Sequence, residues 1–417
     1  MLARMLLTGN KTAAYAARVA EAGYVAAYPI TPQSEIVETL AQWIEAGLMK
    51  ARFVNFESEH SMVTAAGAAS LAGVRAFTAT SSQGLFYAFE ALYTVSGWRA
   101  PIVLVNVSRG VGMPMILQVE HGDVLAARDS GFIQLHAETC QEVLDLILLG
   151  YRVGEDSKIL LPVLVNMDGF VLSFAREPVE VPEVDEVRAF LPKYNRPRPL
   201  DGSEPVVYGP TLTDGLAYLF FKYGMHRAMQ EAEKVFEEAA KEFGDRFGRT
   251  HEPVEGNWLD DAEIAIISSN SFTTSIRSAV KTLRERGVPV GLLKLKMIRP
   301  FPRERLAEAL KGVKAVAVFE QNLAPGRGGA LYPEIVEALY HMGKRPAVLS
   351  FIGGIGGMQV GLPEVETMVR RCREALETGA VSKHPILLVR REDAERLRTL
   401  LETATAGPLE VEQVSKA

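Results

Sequence analysis

Short, continuously apolar runs alternate with helix-length segments along most of this chain, and that alternation restricts the fold more than any other feature. Runs at residues 24–28, 53–56, 75–79, 102–107, 132–136 and 159–167 are strand-sized and lack the polar alternation of a half-exposed strand. Such runs, separated by helical patterns, predict a parallel sheet covered by helices on both faces. The run at residues 1–9 reads as the first strand, and residues 53–56 as a buried one.

Residues 170–256 interrupt the pattern. Pro178, Pro182, Pro192, Pro197, Pro199, Pro205 and Pro210 predict a stretch without a regular core. The charged residues 222–247 predict a surface helix bridging two domains, with no chemistry of its own. From residue 263 the alternation resumes, with strands predicted at 264–268, 290–295, 315–320 and 347–351 and a further apolar run at 383–390. The expected fold is α/β, with two doubly wound, mostly parallel-sheet domains at residues 1–190 and 257–395. A linker and surface helix occupy 191–256, and a tail occupies 396–417.

A chain of 417 residues exceeds one ordinary core, in agreement with two domains. Its net charge of −6 provides no basic footprint for nucleic acid. No run approaches the ~18 apolar residues of a membrane span, and the N-terminal run is too short for a signal peptide. A cytoplasmic location is expected. Cys140 and Cys372, the two cysteines, stand far apart, which excludes a disulfide framework and a four-thiolate iron–sulfur site within the chain.

Polar residues collect where the predicted strands end, as expected of open parallel sheets that bind ligands. The loops are Tyr28-Pro29-Ile30-Thr31-Pro32-Gln33-Ser34, Thr80-Ser81-Ser82-Gln83-Gly84 and Asn106-Val107-Ser108-Arg109-Gly110. With Asn55-Phe56-Glu57-Ser58-Glu59, they are expected along one sheet edge. Ser58 can cap a following helix of small residues, with Glu59 in its first turn and room for close packing. By position alone Glu59 complements the helix dipole, Thr31 caps a helix and Arg109 forms a surface ion pair. Glu120-His121-Gly122-Asp123 lacks a second histidine at helical spacing, so no metal site is assigned.

Taken together, these loops resemble the α subunit of 2-oxoacid:ferredoxin oxidoreductases. The motifs are Tyr-Pro-Ile-Thr-Pro at 28–32, Glu-Ser-Glu-His-Ser at 57–61, Thr-Ser-Ser-Gln-Gly at 80–84, Ser-Arg at 108–109 and His-x-Asp-x-x-x-Ala-Arg-Asp-Ser-Gly at 121–131. The second half agrees through Ile298-Arg299-Pro300-Phe301-Pro302, the run at 320–329 and Gly353-Gly354-Ile355-Gly356-Gly357. The resemblance implies a thiamine-diphosphate pyrimidine-binding domain followed by a transketolase C-terminal-like domain. It implies oxidative decarboxylation of a 2-oxoacid with coenzyme A, giving acyl-CoA, CO2 and two low-potential electrons.

It also implies residue roles. Glu59 becomes the catalytic acid against the cofactor's aminopyrimidine nitrogen, where partial burial and a raised pKa are useful. Tyr28, Pro29, Ser82 and Gln83 become cofactor contacts. Thr31 and Arg109 hold the substrate carboxylate, for which an arginine fork is suited. In this family a β subunit holds the diphosphate and Mg2+, and no Gly-Asp-Gly motif followed by asparagine is found here. The chain therefore looks like half of an active site. Expected partners are the β subunit, cluster-bearing and gamma-type subunits that carry the iron–sulfur clusters, and ferredoxin or an NAD-reducing subunit.

The segment after Arg109 departs from the pyruvate pattern, which has an Asn-Ile-Trp-like run. Met113, Met115, Ile116 and Leu117 stand there instead. Flexible and aliphatic side chains suggest room for a larger apolar acyl group. Phenylglyoxylate is the first expectation, a phenylglyoxylate dehydrogenase type of enzyme, then a branched-chain 2-oxoacid, with pyruvate as the alternative. The glycine-rich loops at 326–329 and 353–357 read as tight turns rather than coenzyme A or partner contacts. A silent scaffold subunit is disfavoured by Glu59, Thr31 and Arg109 occurring together. A nucleotide-binding dehydrogenase is disfavoured because no Gly-x-Gly-x-x-Gly follows the first strand.

Overall fold

The structure is a computed structural model and describes residues 3–112, 114–403 and 411–414. It divides into two compact units. One comprises Met1–Gln118, Asp123–Pro253 and Lys296–Phe301, the other Val119–Gly122, Val254–Leu295 and Pro302–Ala417.

The first strands are β1 (Ala3–Thr8), β2 (Tyr24–Ala27), β3 (Arg52–Asn55), β4 (Ala76–Thr80), β5 (Val103–Ser108), β6 (Ile133–His136), β7 (Val163–Asp168) and β8 (Arg176–Val181). Helices α1 (Gly9–Val19), α2 (Ser34–Glu45), α3 (Glu59–Leu71), α4 (Gln83–Tyr87), α5 (Phe89–Gly97), α6 (Gly122–Ala126) and α7 (Cys140–Gly154) alternate with them. The chain continues through α8 (Val184–Phe190) and α9 (Gly215–Phe247) to β9 (Val254–Asn257), β10 (Ile264–Ser268), β11 (Val290–Leu295) and β12 (Met297–Arg299). Helix α10 (Phe272–Glu285) lies between β10 and β11. Then come α11 (Arg303–Ala309), β13 (Ala315–Glu320), α12 (Tyr332–Leu339), β14 (Ala347–Ile352), α13 (Leu362–Thr378), β15 (Ile386–Arg390), α14 (Arg391–Thr403) and β16 (Val411–Val414).

The main sheet of the first unit has the order β12-β6-β7-β5-β4-β2-β3. It is parallel except for β12, which runs antiparallel to β6. Every residue of β4, β5 and β7 is buried, which is why those runs are apolar without alternation. The sheet of the second unit has the order β16-β15-β14-β13-β10-β11-β9, parallel except for β9. Both sheets are of the expected α/β class.

Four expectations need correction. Strand β1 is outside the main sheet and pairs antiparallel with β8, from Ala3↔Val181 to Thr8↔Arg176. Leu6 is exposed and Leu7 buried, so β1 is a one-sided strand and not a sheet core. Strand β3 is an edge strand with β2 as its one partner, and Arg52 and Asn55 are exposed. Helix α9 falls wholly within the first unit. It begins at Gly215, capped by Asp214. Ala228, Ala232, Val235, Phe236, Ala239 and Phe243 bury one stripe of it in that unit's core. Finally, residues 396–417 are no plain tail, since α14 covers the first of them and β16 pairs parallel with β15.

Candidate active site

Because β5, β4, β2 and β3 are parallel neighbours, their following loops share one sheet edge. In that order the loops carry Arg109, Ser82 with Gln83, Tyr28 to Thr31, and Glu59. Parallel pairing thus collects all the sequence-predicted site residues on one side of the first unit.

Glu59 opens α3. Ser58 caps the helix by accepting from the Ser61 amide at 3.2 Å. The Glu59 side chain is buried, at 4% exposure. That burial raises its carboxyl pKa, against the opposing effect of its own backbone hydrogen bond. Glycines serve two close approaches at α3. At Gly67 a β-carbon would lie 2.6 Å from Val95 of α5. On the other side Gly84 meets Glu59 itself, where a β-carbon would lie 2.5 Å from Glu59 Oε1 and 2.4 Å from Thr80 Oγ1.

Gly84 lies in the first turn of α4, which Ser82 precedes after β4. Ser82 there has φ 47° and ψ −112°, a conformation rarely adopted by a non-glycine residue. It is held by its amide, which donates to Asp123 Oδ2 at 3.1 Å, and by its hydroxyl, which donates to the Gly110 carbonyl at 2.9 Å. Gln83 Oε1 and Thr80 Oγ1 are buried without a hydrogen-bond partner.

Arg109 is buried at 4% exposure, not paired on the surface. Its Nε and Nη1 are buried with no partner. Burial pushes the guanidinium pKa down, and the nearby Asp123 charge opposes the shift. A buried fork with unused N–H groups is suited to holding an anion such as a carboxylate.

In the loop after β2, Gln33 Nε2 donates to the Tyr28 carbonyl at 2.7 Å and Asn10 Nδ2 to the Pro32 carbonyl at 2.8 Å. Tyr28 is half-buried, while Pro29 and Thr31 are exposed. Thr31 is not a helix cap, because α2 begins only at Ser34 and Gln33 stands at its N-cap position.

Sequence reasoning missed the network beneath these loops. Asp123 Oδ1 accepts from Ser108 Oγ at 2.9 Å and from the Val124 amide at 2.7 Å. Asn106 Nδ2 donates to Asp123 Oδ2 at 3.0 Å and to Asn166 Oδ1 at 2.9 Å. A signal was present: Asn106 and Ser108 alternate at the end of β5, and their ladder partners Asn166 and Asp168 alternate at the end of β7. Of the residues expected around the acyl group, Met115, Ile116 and Leu117 are exposed. Met113 lies outside the described residues. Ile116 packs against Gly110, where a β-carbon would lie 2.2 Å from Ile116 Cγ2.

A doubly wound sheet with a buried glutamate opening a helix and an arginine with unpartnered N–H groups on one edge fits a cofactor-dependent α/β enzyme of the thiamine-diphosphate class. The chain belongs to the 2-oxoacid:ferredoxin oxidoreductases, as an α-type subunit. The family described as pyruvate flavodoxin/ferredoxin oxidoreductase, thiamine diP-bdg, matches residues 13–241. Pyruvate:ferredoxin oxidoreductase core domain II matches residues 262–365. Pyruvate synthase subunit PorA of Methanothermobacter thermautotrophicus is 40% identical over 366 residues, covering 88% of this chain and 94% of the relative. Ketoisovalerate oxidoreductase subunit VorA of Pyrococcus abyssi is 37% identical over 385 residues, covering 91% and 96%.

Among solved structures, 2-oxoglutarate:ferredoxin oxidoreductase from Magnetococcus marinus, with 2-oxoglutarate, coenzyme A and succinyl-CoA bound, is similar with a TM-score of 0.70 at 19% identity. The likeness covers 89% of this chain and 65% of that one, so this chain spans about two thirds of its length. At that identity it speaks for the fold. Among the described residues no helix is long and apolar enough to cross a membrane.

Proposed function

We propose that this chain supplies the aminopyrimidine and substrate half of a thiamine-diphosphate-dependent active site that oxidatively decarboxylates a short aliphatic 2-oxoacid to its acyl-CoA. The observation that carries this reading is the buried Glu59 carboxyl, with a raised pKa, on the same sheet edge as the Arg109 guanidinium, whose Nε and Nη1 have no partner. Thiamine diphosphate, when bound, supplies the electron sink for decarboxylation. The residues fit its pyrimidine end: Gly84, without a side chain, admits the Glu59 carboxyl, and Gln83 Oε1 and Thr80 Oγ1 are buried without partners.

In this reading Glu59 holds a proton at its carboxyl against the aminopyrimidine nitrogen. Tyr28, Pro29, Ser82 and Gln83 line the cofactor, and Arg109 and Thr31 orient the substrate carboxylate. The two units act as the pyrimidine-binding domain and the transketolase C-terminal-like domain. The diphosphate and Mg2+ belong to a β subunit. Exposed Phe86, Tyr87 and Tyr93 on α4 and α5, and Leu216, Phe220 and Tyr223 on α9, support docking of such a partner to the first unit.

Electrons leave through iron–sulfur clusters on cluster-bearing and gamma-type subunits to ferredoxin. Cys140 and Cys372 are both buried, in different units, which speaks against a cluster here. Two unpaired cysteines also fit the cytoplasm.

Pyruvate and 2-oxoisovalerate are the substrates we favour. Relatives carry the names pyruvate synthase and ketoisovalerate oxidoreductase, and aliphatic Ile116 packs next to Arg109 at Gly110. The names of these relatives do not support phenylglyoxylate, the acid expected from the sequence. The test uses the complex purified with its partner subunits and compares kcat/KM for pyruvate, 2-oxoisovalerate and phenylglyoxylate. Each methylene in an apolar pocket is worth about 1–3 kcal/mol, so the acids should separate clearly. Glu59→Ala is expected to cost on the order of 10²-fold or more in turnover. Near-normal turnover by that variant, or preference for phenylglyoxylate, would refute the corresponding part.

A further inference from the structure

We propose that Asp123 is a positioning residue that ties the loop carrying Arg109 to the turn seated against Glu59, so that the substrate anchor and the cofactor acid are set by one carboxylate. This rests on the reading of Glu59 and Arg109 given above.

Asp123 is fully buried, and its two oxygens accept from the Ser108 hydroxyl, the Val124 amide, the Asn106 amide and the Ser82 backbone amide. Burying a carboxylate is costly unless its acceptors are filled, and here they are. Two of those bonds lead to opposite halves of the site. Through the Ser82 amide, Asp123 holds Ser82 at φ 47°, a backbone that ordinary residues adopt only under constraint. Two residues further on, Gly84 presses against Glu59, so the seat of the Glu59 carboxyl depends on that turn. Through Ser108, Asp123 fixes the end of β5, and the Ser82 hydroxyl binds the Gly110 carbonyl immediately after Arg109. The Asp123 charge is also what opposes the burial of the Arg109 guanidinium. Neither loop can relax without moving the other.

The test uses the complex with its partner subunits and two measurements besides turnover. One is exchange of the thiamine C2 proton for deuterium without 2-oxoacid, which reads the setting of Glu59. The other is the KM for 2-oxoacid, which reads Arg109. Asp123→Asn is expected to slow the exchange and raise the KM together, each about tenfold or more, as small misplacements at reacting groups do. Either quantity staying within about threefold of wild type in Asp123→Asn would overturn the proposal, even if the thermal midpoint fell.

If Asp123→Asn fails to assemble, Ser108→Ala removes one donor and keeps the charge. It should then shift both measurements the same way by about threefold, and unchanged values overturn the proposal. Glu59→Gln is the reference. If it leaves exchange unchanged, the role of Glu59 is wrong. If it slows exchange and Asp123→Asn does not, the failure belongs to Asp123 alone.

Discussion

Gly84 approaches Glu59 so closely that a β-carbon on it would lie 2.5 Å from Glu59 Oε1. The glycine is required there for space, not for backbone freedom. Gly84→Ala would push a methyl group into the Glu59 carboxyl and Thr80 Oγ1. The fold should survive, since α4 is short and the chain continues directly into α5. Turnover of the assembled complex should fall on the order of 10²-fold. Retained turnover with an unchanged melting profile would show that the carboxyl position is unimportant.

Glu59 also carries a stability signature. Its pKa is raised by burial, so the folded state favours the protonated form. A group with a raised folded pKa contributes stability below its unfolded pKa, about 4.3 for glutamate, and loses it as pH rises through the folded value. Glu59→Gln has no such loss. The thermal midpoint of the variant should therefore gain on wild type as pH rises above about 4.3 and through the raised folded value. A gap independent of pH would contradict the burial argument.

Arg109 offers the opposite pairing of effects. Its Nε and Nη1 are buried without partners, a cost to folding. Arg109→Met removes that cost, and the Asp123 oxygens keep the Ser82, Asn106, Ser108 and Val124 donors. The thermal midpoint should not fall, while the KM for 2-oxoacid should rise about 30-fold or more, as expected for loss of a buried charge contact. Destabilisation without a KM change would make Arg109 a structural residue.

Phe243 tests the placement of α9. It is fully buried, with its ring 5.3 Å from Phe190 and 4.6 Å from Phe247. A solvated bridging helix would tolerate its loss. A helix in the first unit's core should lose about 3–5 kcal/mol on Phe243→Ala, read by denaturant unfolding.

Several features were legible because they depend on near neighbours in the chain. The apolar runs of β4, β5 and β7, the Ser58 cap and the glutamate in the first turn of α3 follow from local period and capping chemistry. So did the gathering of the four loops, since parallel neighbouring strands end on the same side.

Tertiary structure alone decided the rest. Which edge β3 occupies, that β1 pairs with β8, and that α9 returns to the first core depend on contacts far apart in sequence. Asn106, Ser108 and Asn166 look like interruptions in apolar strands until the register sets Asn106 beside Asn166 and brings Asp123 onto them. Arg109 reads as a surface ion pair until its N–H groups are enclosed. Local sequence encodes what a residue can bond to. Only the surfaces that meet across the fold determine which groups lose water and which partners remain to replace it.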